Sequence, residues 1–164
     1  MILRQARALK LSKNGTPSTD NRTMNPELLK FKISRVNRAF YNRVFDDPWL
    51  GRMFQGVRRE HLENQQTDFM LGALGGPKRY YGKSPGDAHP HIFVNEEIWK
   101  AREKYLQEAM AETGFPAEYG DRWLKIDAAF KPAIMKESVA DCTKRFIADD
   151  IVYFPTSATA QKVG

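Results

Sequence analysis

Three histidines, His61, His89 and His91, are the side chains of this sequence best suited to hold a metal. The single cysteine, Cys142, excludes an intrachain disulfide and any multi-cysteine metal site. His89 and His91 lie two apart, so they do not share a helix face, and zinc would still need a third ligand that no local motif offers. No nucleophile-elbow or phosphate-cradling glycine motif is present. The sequence therefore gives only weak support for a zinc site at these histidines and no motif that supports a hydrolase site.

One imidazole alone is enough to hold the iron of a haem from one side. Such a site also needs an apolar slot, an aromatic wall and, on the opposite face, either no polar group or a few hydrogen-bond donors. The sequence between Phe40 and Trp99 supplies groups of these kinds in order. Haem ligation is thus a chemistry that this pattern could support.

Helices must position these groups, and the first is predicted from Asn25. Asn25 supplies a capping side chain and Pro26 suits a first helical turn. The apolar residues at helical spacing that follow are Leu29, Ile33, Val36, Phe40 and Val44. Pro48 should end this helix, because the residue before proline is pushed out of the α region.

Three further helical regions follow a compact segment at 48–56. One runs over about 59–74 and ends at Gly75-Gly76-Pro77, and 78–88 should be a loop. Asn95 should cap the next helix, which ends at Gly114. The last region covers about 118–146, with a kink or break at Pro132. We find no repeat and no alternating strand, so the sequence predicts an all-α fold.

The charge of the chain is concentrated at its beginning. The 164 residues carry 26 Lys+Arg and 20 Asp+Glu, a formal net charge of +6, of which +4 lies in residues 1–24. The nearly balanced remainder offers no basic stripe, so no nucleic-acid partner is expected. No apolar run approaches the roughly 20 residues of a transmembrane segment. We expect a cytoplasmic protein, with a targeting role for the basic segment as an alternative.

A set of motifs in fixed order resembles the group I truncated haemoglobins. They are FYNRVFDDP (40–48), MFQGV (53–57), QTDFMLGALGGP (66–77), YYG (80–82) and AHPHI (88–92). The separations are 13 residues from Tyr41 to Phe54, 12 from Phe54 to Gln66, and 10 from His89 to Trp99. The resemblance covers about residues 26–140 and implies a two-over-two helical sandwich around a haem.

The resemblance implies a role for each of several residues. His89 would be the proximal ligand of haem b, and Tyr41 and Gln66 would donate hydrogen bonds to the bound ligand. Phe54 would wedge against the porphyrin. The full set of implied cofactor-binding residues is Phe54, Leu62, Gln66, Met70, Arg79, Tyr80, His89, Val94 and Trp99.

Simpler interpretations remain open for these side chains. Tyr41 and Phe54 could be ordinary core residues, and His89 or His91 a half-buried surface histidine. Only His89 keeps the spacing to both Gly75-Gly76-Pro77 and Trp99, so it is preferred over His91. His61 is expected at the surface or the pocket rim, with ligation of ferric iron as the less favoured reading.

The chain also departs from the family at several points. The Gly-Gly pair between the first two helices is missing, and Gln65 stands where a lysine often precedes the distal glutamine. We assign 1–24 as a flexible extension, 25–148 as the globin domain and 149–164 as a tail. The apolar residues 151–155 could pack back on the domain or form a homodimer contact.

The resemblance implies a protein that binds O2 reversibly, and NO and CO as well. Its activity could be NO dioxygenation, oxygen scavenging or peroxidase-like chemistry, supported by an external reductase. The alternative from another class is a haem-based gas or redox sensor, or an interaction module, that signals through the extensions.

Overall fold

The computed structural model describes residues 23–156, which contain five α-helices and no strand. The helices are α1 Pro26–Asp46, α2 Arg59–Ala73, α3 Pro85–Ala88, α4 Glu96–Thr113 and α5 Ala117–Ile134. Helix α1 packs against both α2 and α4, and α3 packs against α5. The all-α prediction is confirmed, and the arrangement is consistent with a truncated globin fold. None of these helices is both long and apolar enough to cross a bilayer.

Helix α1 begins and ends as its sequence predicts. The Asn25 side chain accepts hydrogen bonds from the backbone N–H groups of Glu27 and Leu28, at 2.9 and 3.4 Å. At the other end the Asp47 carboxylate accepts from the backbone N–H of Trp49, at 2.8 Å, and of Leu50. These bonds start a 3₁₀ turn, Leu50–Phe54, in the segment predicted to be compact. The predicted apolar stripe is buried throughout: Leu29, Ile33, Val36, Phe40 and Val44.

Helices α2 and α4 also match their predicted limits. After α2, Gly75 has a φ of +97°, a conformation that a residue with a side chain rarely adopts. Asn95 caps α4 by accepting a hydrogen bond from the N–H of Ile98, at 2.9 Å, and Gly114 closes it with a φ of +62°. Between α1 and α2, the buried Asn37 donates to the hydroxyl of Thr67.

The prediction of helix to residue 146 is wrong, because α5 ends at Ile134. Pro132 lacks an N–H and therefore weakens the last turn of the helix. Beyond it, the backbone N–H of Lys136 donates to the carbonyl oxygen of Val94 at 2.9 Å instead of continuing the helix. The loop prediction for 78–88 is also incomplete, since its last four residues form α3.

Residues 142–156, which we call the C-terminal strap, lie back on the domain. Backbone hydrogen bonds join Thr143 to Pro90 (2.8 Å), Val152 to His91 (2.9 Å) and Phe93 to Val152 (2.9 Å). Two side chains complete the attachment: the indole N–H of Trp49 donates to the Phe154 carbonyl, and Asn95 donates to the Pro155 carbonyl, both at 2.8 Å. Of the two alternatives for 151–155, packing on the domain is therefore observed. The predicted extension 1–24 lies outside the described residues except for Thr23 and Met24.

Candidate functional site

A cavity of about 620 Å³ lies between α1, α2, α4, α5 and the segment that leads from α3 to α4. Its volume falls within the range of pockets that hold small molecules and cofactors. Eight of the predicted site residues line it: Tyr41, Phe54, Leu62, Gln66, Tyr80, His89, Val94 and Trp99. Residues spread over nearly 60 positions of sequence are thus brought to one cavity.

His89 directly follows α3, and this helix orients its imidazole. The ring Nδ1 lies 2.6 Å from the Pro85 carbonyl oxygen, which can only accept, so Nδ1 carries the proton and donates. Burial lowers the pKa of His89, so the neutral imidazole is favoured. The remaining nitrogen, Nε2, keeps its lone pair. A neutral imidazole fixed through one nitrogen is the usual arrangement of a histidine that ligates a metal.

Tyr41 and Phe54 form an aromatic corner of the cavity. Tyr41 lies on the buried face of α1, where its ring meets that of Phe40 edge-on with centroids 5.0 Å apart. Phe54, at the end of the 3₁₀ turn, packs against Tyr41 at 6.3 Å. Burial raises the pKa of Tyr41 to about 12, so its phenol stays protonated at neutral pH. Within residues 23–156, the Tyr41 hydroxyl makes no hydrogen bond.

Helix α2 contributes a second polar group beside apolar ones. Leu62, Gln65, Gln66 and Phe69 all line the cavity. The Gln66 amide is partly buried and, in the part of the chain that the structure describes, has no hydrogen-bond partner. An amide in such a position is costly unless a ligand or water satisfies it. Tyr41 and Gln66 therefore both offer unused donors to the cavity.

Three further residues of the predicted site differ in whether they line the cavity. Tyr80 lines it, held by a hydrogen bond from its hydroxyl to the Lys83 carbonyl at 2.7 Å. Met70 is fully buried in the protein core but does not line the cavity. Arg79 lies at the surface, where it pairs with Glu27 at 3.1 Å. The structure thus places Met70 and Arg79 outside the cavity wall.

The other two histidines have contrasting positions. His61 is exposed and is not part of the cavity wall. His91 is buried and lines the cavity, and its Nδ1 atom has no hydrogen-bond partner among residues 23–156. Burial lowers the pKa of His91 as well. In contrast to His89, therefore, no hydrogen bond at Nδ1 fixes the ring of His91.

An ion pair in the cavity wall was not predicted as part of the site. Arg102 on α4 binds the carboxylate of Asp127 on α5, and both residues line the cavity. The signal was present in the sequence: Arg102 shares a helical stripe with Trp99 and Leu106, and Asp127 follows Trp123 by four residues. A charge within an apolar stripe indicates that it has a partner of opposite charge, but the stripe does not say which residue that partner is.

The C-terminal strap also forms part of the wall. Arg145 donates to the Asp149 carboxylate through both its Nε, at 2.7 Å, and its Nη2, at 2.8 Å. This guanidinium holds the pKa of Asp149 well below its usual range. The strap residues that line the cavity are Arg145, Phe146, Ala148, Asp149, Asp150 and Val152.

Comparison with known proteins places this geometry in a family. A family profile described as bacterial-like globin matches residues 29–136. The chain is 32% identical over 75 residues to a Group 1 truncated hemoglobin of Tetrahymena thermophila and 40% identical over 75 residues to that of Tetrahymena pyriformis. Each match covers 46% of this chain, which spans 62% of the length of these relatives.

A third relative comes from a cyanobacterial source. The chain is 29% identical over 86 residues to the Group 1 truncated hemoglobin GlbN of Nostoc sp. (strain MUN 8820), which covers 52% of this chain and 73% of the relative. The family profile alone covers well over half of the chain. The chain therefore belongs to the bacterial-like globin family and is a truncated globin.

Proposed function

We propose that this protein binds haem b through His89 and takes up O2, NO or CO on the opposite side of the cofactor. The observation that carries the proposal is the hydrogen bond between His89 and Pro85, which leaves Nε2 directed by the fold and free of a proton. The globin family binds gaseous ligands through haem, and globins hold the iron by a proximal histidine.

The residues of the cavity fit such a group. Haem supplies an iron atom that binds diatomic gases. Phe54, Leu62, Val94 and Trp99 give the cavity an apolar and aromatic wall that excludes water and accommodates a flat apolar cofactor. Tyr41 and Gln66 are polar side chains of this wall whose donors are unused.

Tyr41 and Gln66 would act on the ligand. Donors fixed in a dry cavity stabilise negative charge more strongly than donors in water, because the surrounding dielectric is low. The raised pKa of Tyr41 keeps its proton in place for donation. We infer that the pair slows the release of O2, which gains negative charge when it binds.

Among reactions, NO dioxygenation fits slow oxygen release best. In this conversion NO, O2 and one electron give nitrate, so an external reductase must supply the electron. Oxygen scavenging would need the same donors and a similar source of electrons. We propose that the protein works in the cytoplasm with such a reductase.

The test begins with the absorption spectrum of the purified full chain. A Soret band, either as purified or after haem is added, is expected, together with shifts on addition of CO and O2 to the ferrous protein. A protein that stays colourless when haem is supplied would contradict the proposal. Nitrate formation from NO in the presence of an electron donor then tests the proposed reaction.

A further inference from the structure

The buried ion pair of the cavity wall has an unusual environment. Asp127 is 9% exposed, and its only hydrogen bond among residues 23–156 comes from Nη1 of Arg102. The Arg102 guanidinium lies against the rings of Phe40 and Trp99, with its Cζ atom 5.6 and 5.3 Å from their centroids. Two rings and one carboxylate therefore fix the position of this cation.

The ion pair with Asp127 does not use all the N–H donors of Arg102. A guanidinium carries five N–H groups, and Asp127 engages only Nη1. In the part of the chain that the structure describes, Nε and Nη2 of Arg102 have no hydrogen-bond partner. Because Arg102 lines the cavity, these donors are available to a ligand there. The side chain of Arg102 is 25% exposed and that of Asp127 is 11% exposed, so a ligand in the cavity has better access to the guanidinium than to the carboxylate. The charges of the pair therefore do not cancel for such a ligand.

Arg102 shares the cavity wall with Tyr41 and His89. These two residues belong to the two functions proposed above, donation to the ligand and attachment of the cofactor. The Arg102 charge also acts at Tyr41, where it partly offsets the rise in pKa that burial causes. Arg102 therefore borders the cavity in which the ligand would bind.

We propose that Arg102, held in place by Asp127, makes the ligand site of this protein selective for small monovalent anions and for ligands that gain negative charge on binding. The inference rests on the proposed haem binding and adds a specificity-determining residue to it. Asp127 is a positioning residue, which also limits how strongly Arg102 attracts an anion.

The main experiment measures azide affinity of the ferric haem-loaded full chain at constant pH. Breaking a buried ion pair on one side can unfold a protein, so Arg102→Met is combined with Asp127→Leu to remove both charges. Azide affinity should fall about tenfold in this double variant, the effect of losing one charge-assisted hydrogen bond. Asp127→Asn, which leaves the cation uncompensated, should raise it severalfold.

Lys131→Met is the matched control, because the Lys131 ammonium also lies over the Trp99 ring, at 5.6 Å, but is not part of the cavity wall. Its azide affinity should equal that of the wild type. The infrared stretching frequency of bound CO gives a second readout, since CO is neutral and its frequency reports the local electric field. It should rise in the double variant and fall in Asp127→Asn.

Azide affinities within twofold of each other in all four proteins, with an unchanged CO frequency, would overturn the inference. Failure of the wild-type chain to bind haem would instead contradict the proposed function, so the two failures are distinguishable. Arg102→Lys keeps the positive charge but removes the planar set of guanidinium N–H donors. This variant should therefore keep the part of the azide affinity that depends on charge and lose the part that depends on the geometry of the donors.

Discussion

The Nδ1 atom of His89 lies 2.6 Å from the carbonyl oxygen of Pro85, the first residue of α3. Helix α3 has only four residues, and Ser84 caps it by accepting a hydrogen bond from the N–H of Asp87 at 3.2 Å. The helix packs on α5. This small element, capped and packed on α5, therefore supports the imidazole of His89.

The two histidines of the cavity wall should differ in their effect on haem affinity. His89→Ala is expected to abolish high-affinity binding, whereas His91→Ala should retain it, because only His89 is oriented by a hydrogen bond at Nδ1. The measurement is a haem titration followed at the Soret band. Added imidazole should restore binding in His89→Gly. Loss of binding in His91→Ala alone would contradict the assignment.

Tyr41 and Gln66 should control the rate of oxygen release. Removal of one donor, in Tyr41→Phe, is expected to speed O2 dissociation about tenfold or more, since such a hydrogen bond contributes about 1–3 kcal/mol. Gln66→Leu should act in the same direction. Stopped-flow displacement of O2 by CO measures both rates. Unchanged rates in both variants would refute the proposed hydrogen-bond network.

The buried phenol of Tyr41 should also shape alkaline stability. Its pKa is about 12 in the folded protein and about 10 when unfolded, so between these values the folded state holds one more proton. Stability from this source is complete below pH 10 and declines as the pH rises toward 12. In Tyr41→Phe, the free energy of unfolding should fall less steeply over this range. Parallel curves from denaturant titrations would contradict the assignment.

The C-terminal strap should slow haem loss. A chain that ends after Asp141 lacks the three backbone hydrogen bonds to 90–93 and the strap residues of the cavity wall. We expect it to lose haem to apomyoglobin roughly tenfold faster or more, given about 1 kcal/mol for each bond. The control is a chain that ends after Thr156, which keeps the whole strap. Amide exchange at Phe93 should rise only in the shorter chain, and equal rates in both would sink the prediction.

Local signals in the sequence were sufficient for most helix boundaries. Asn25 and Asn95 act as caps through their own side chains, and Gly114 closes α4, so each boundary depends on a few neighbouring residues. The break predicted at Pro132 lies close to the end of α5 at Ile134, but the departure from helix after it was missed because it depends on a distant residue. Lys136 leaves the helix because its N–H meets Val94, a contact across more than 40 residues.

For the candidate site as well, the residues that depend on long-range contacts could not be predicted from the sequence. The resemblance to the truncated haemoglobins implied Tyr41, Gln66 and His89, and all three line the cavity. It did not separate Met70, which lies in the core, from its cavity-lining neighbour Phe69. The Arg102–Asp127 pair joins α4 to α5 across the cavity wall, and helical periodicity alone does not contain this long-range contact.

The strap has a consequence for the order of events during synthesis. Residues 142–156 leave the ribosome after every helix of the domain has been made. Until then the side of the cavity next to Pro90, His91 and Phe93 lacks one of its walls. We expect that a flat cofactor enters from this side in the nascent protein, before residues 142–156 pack over it.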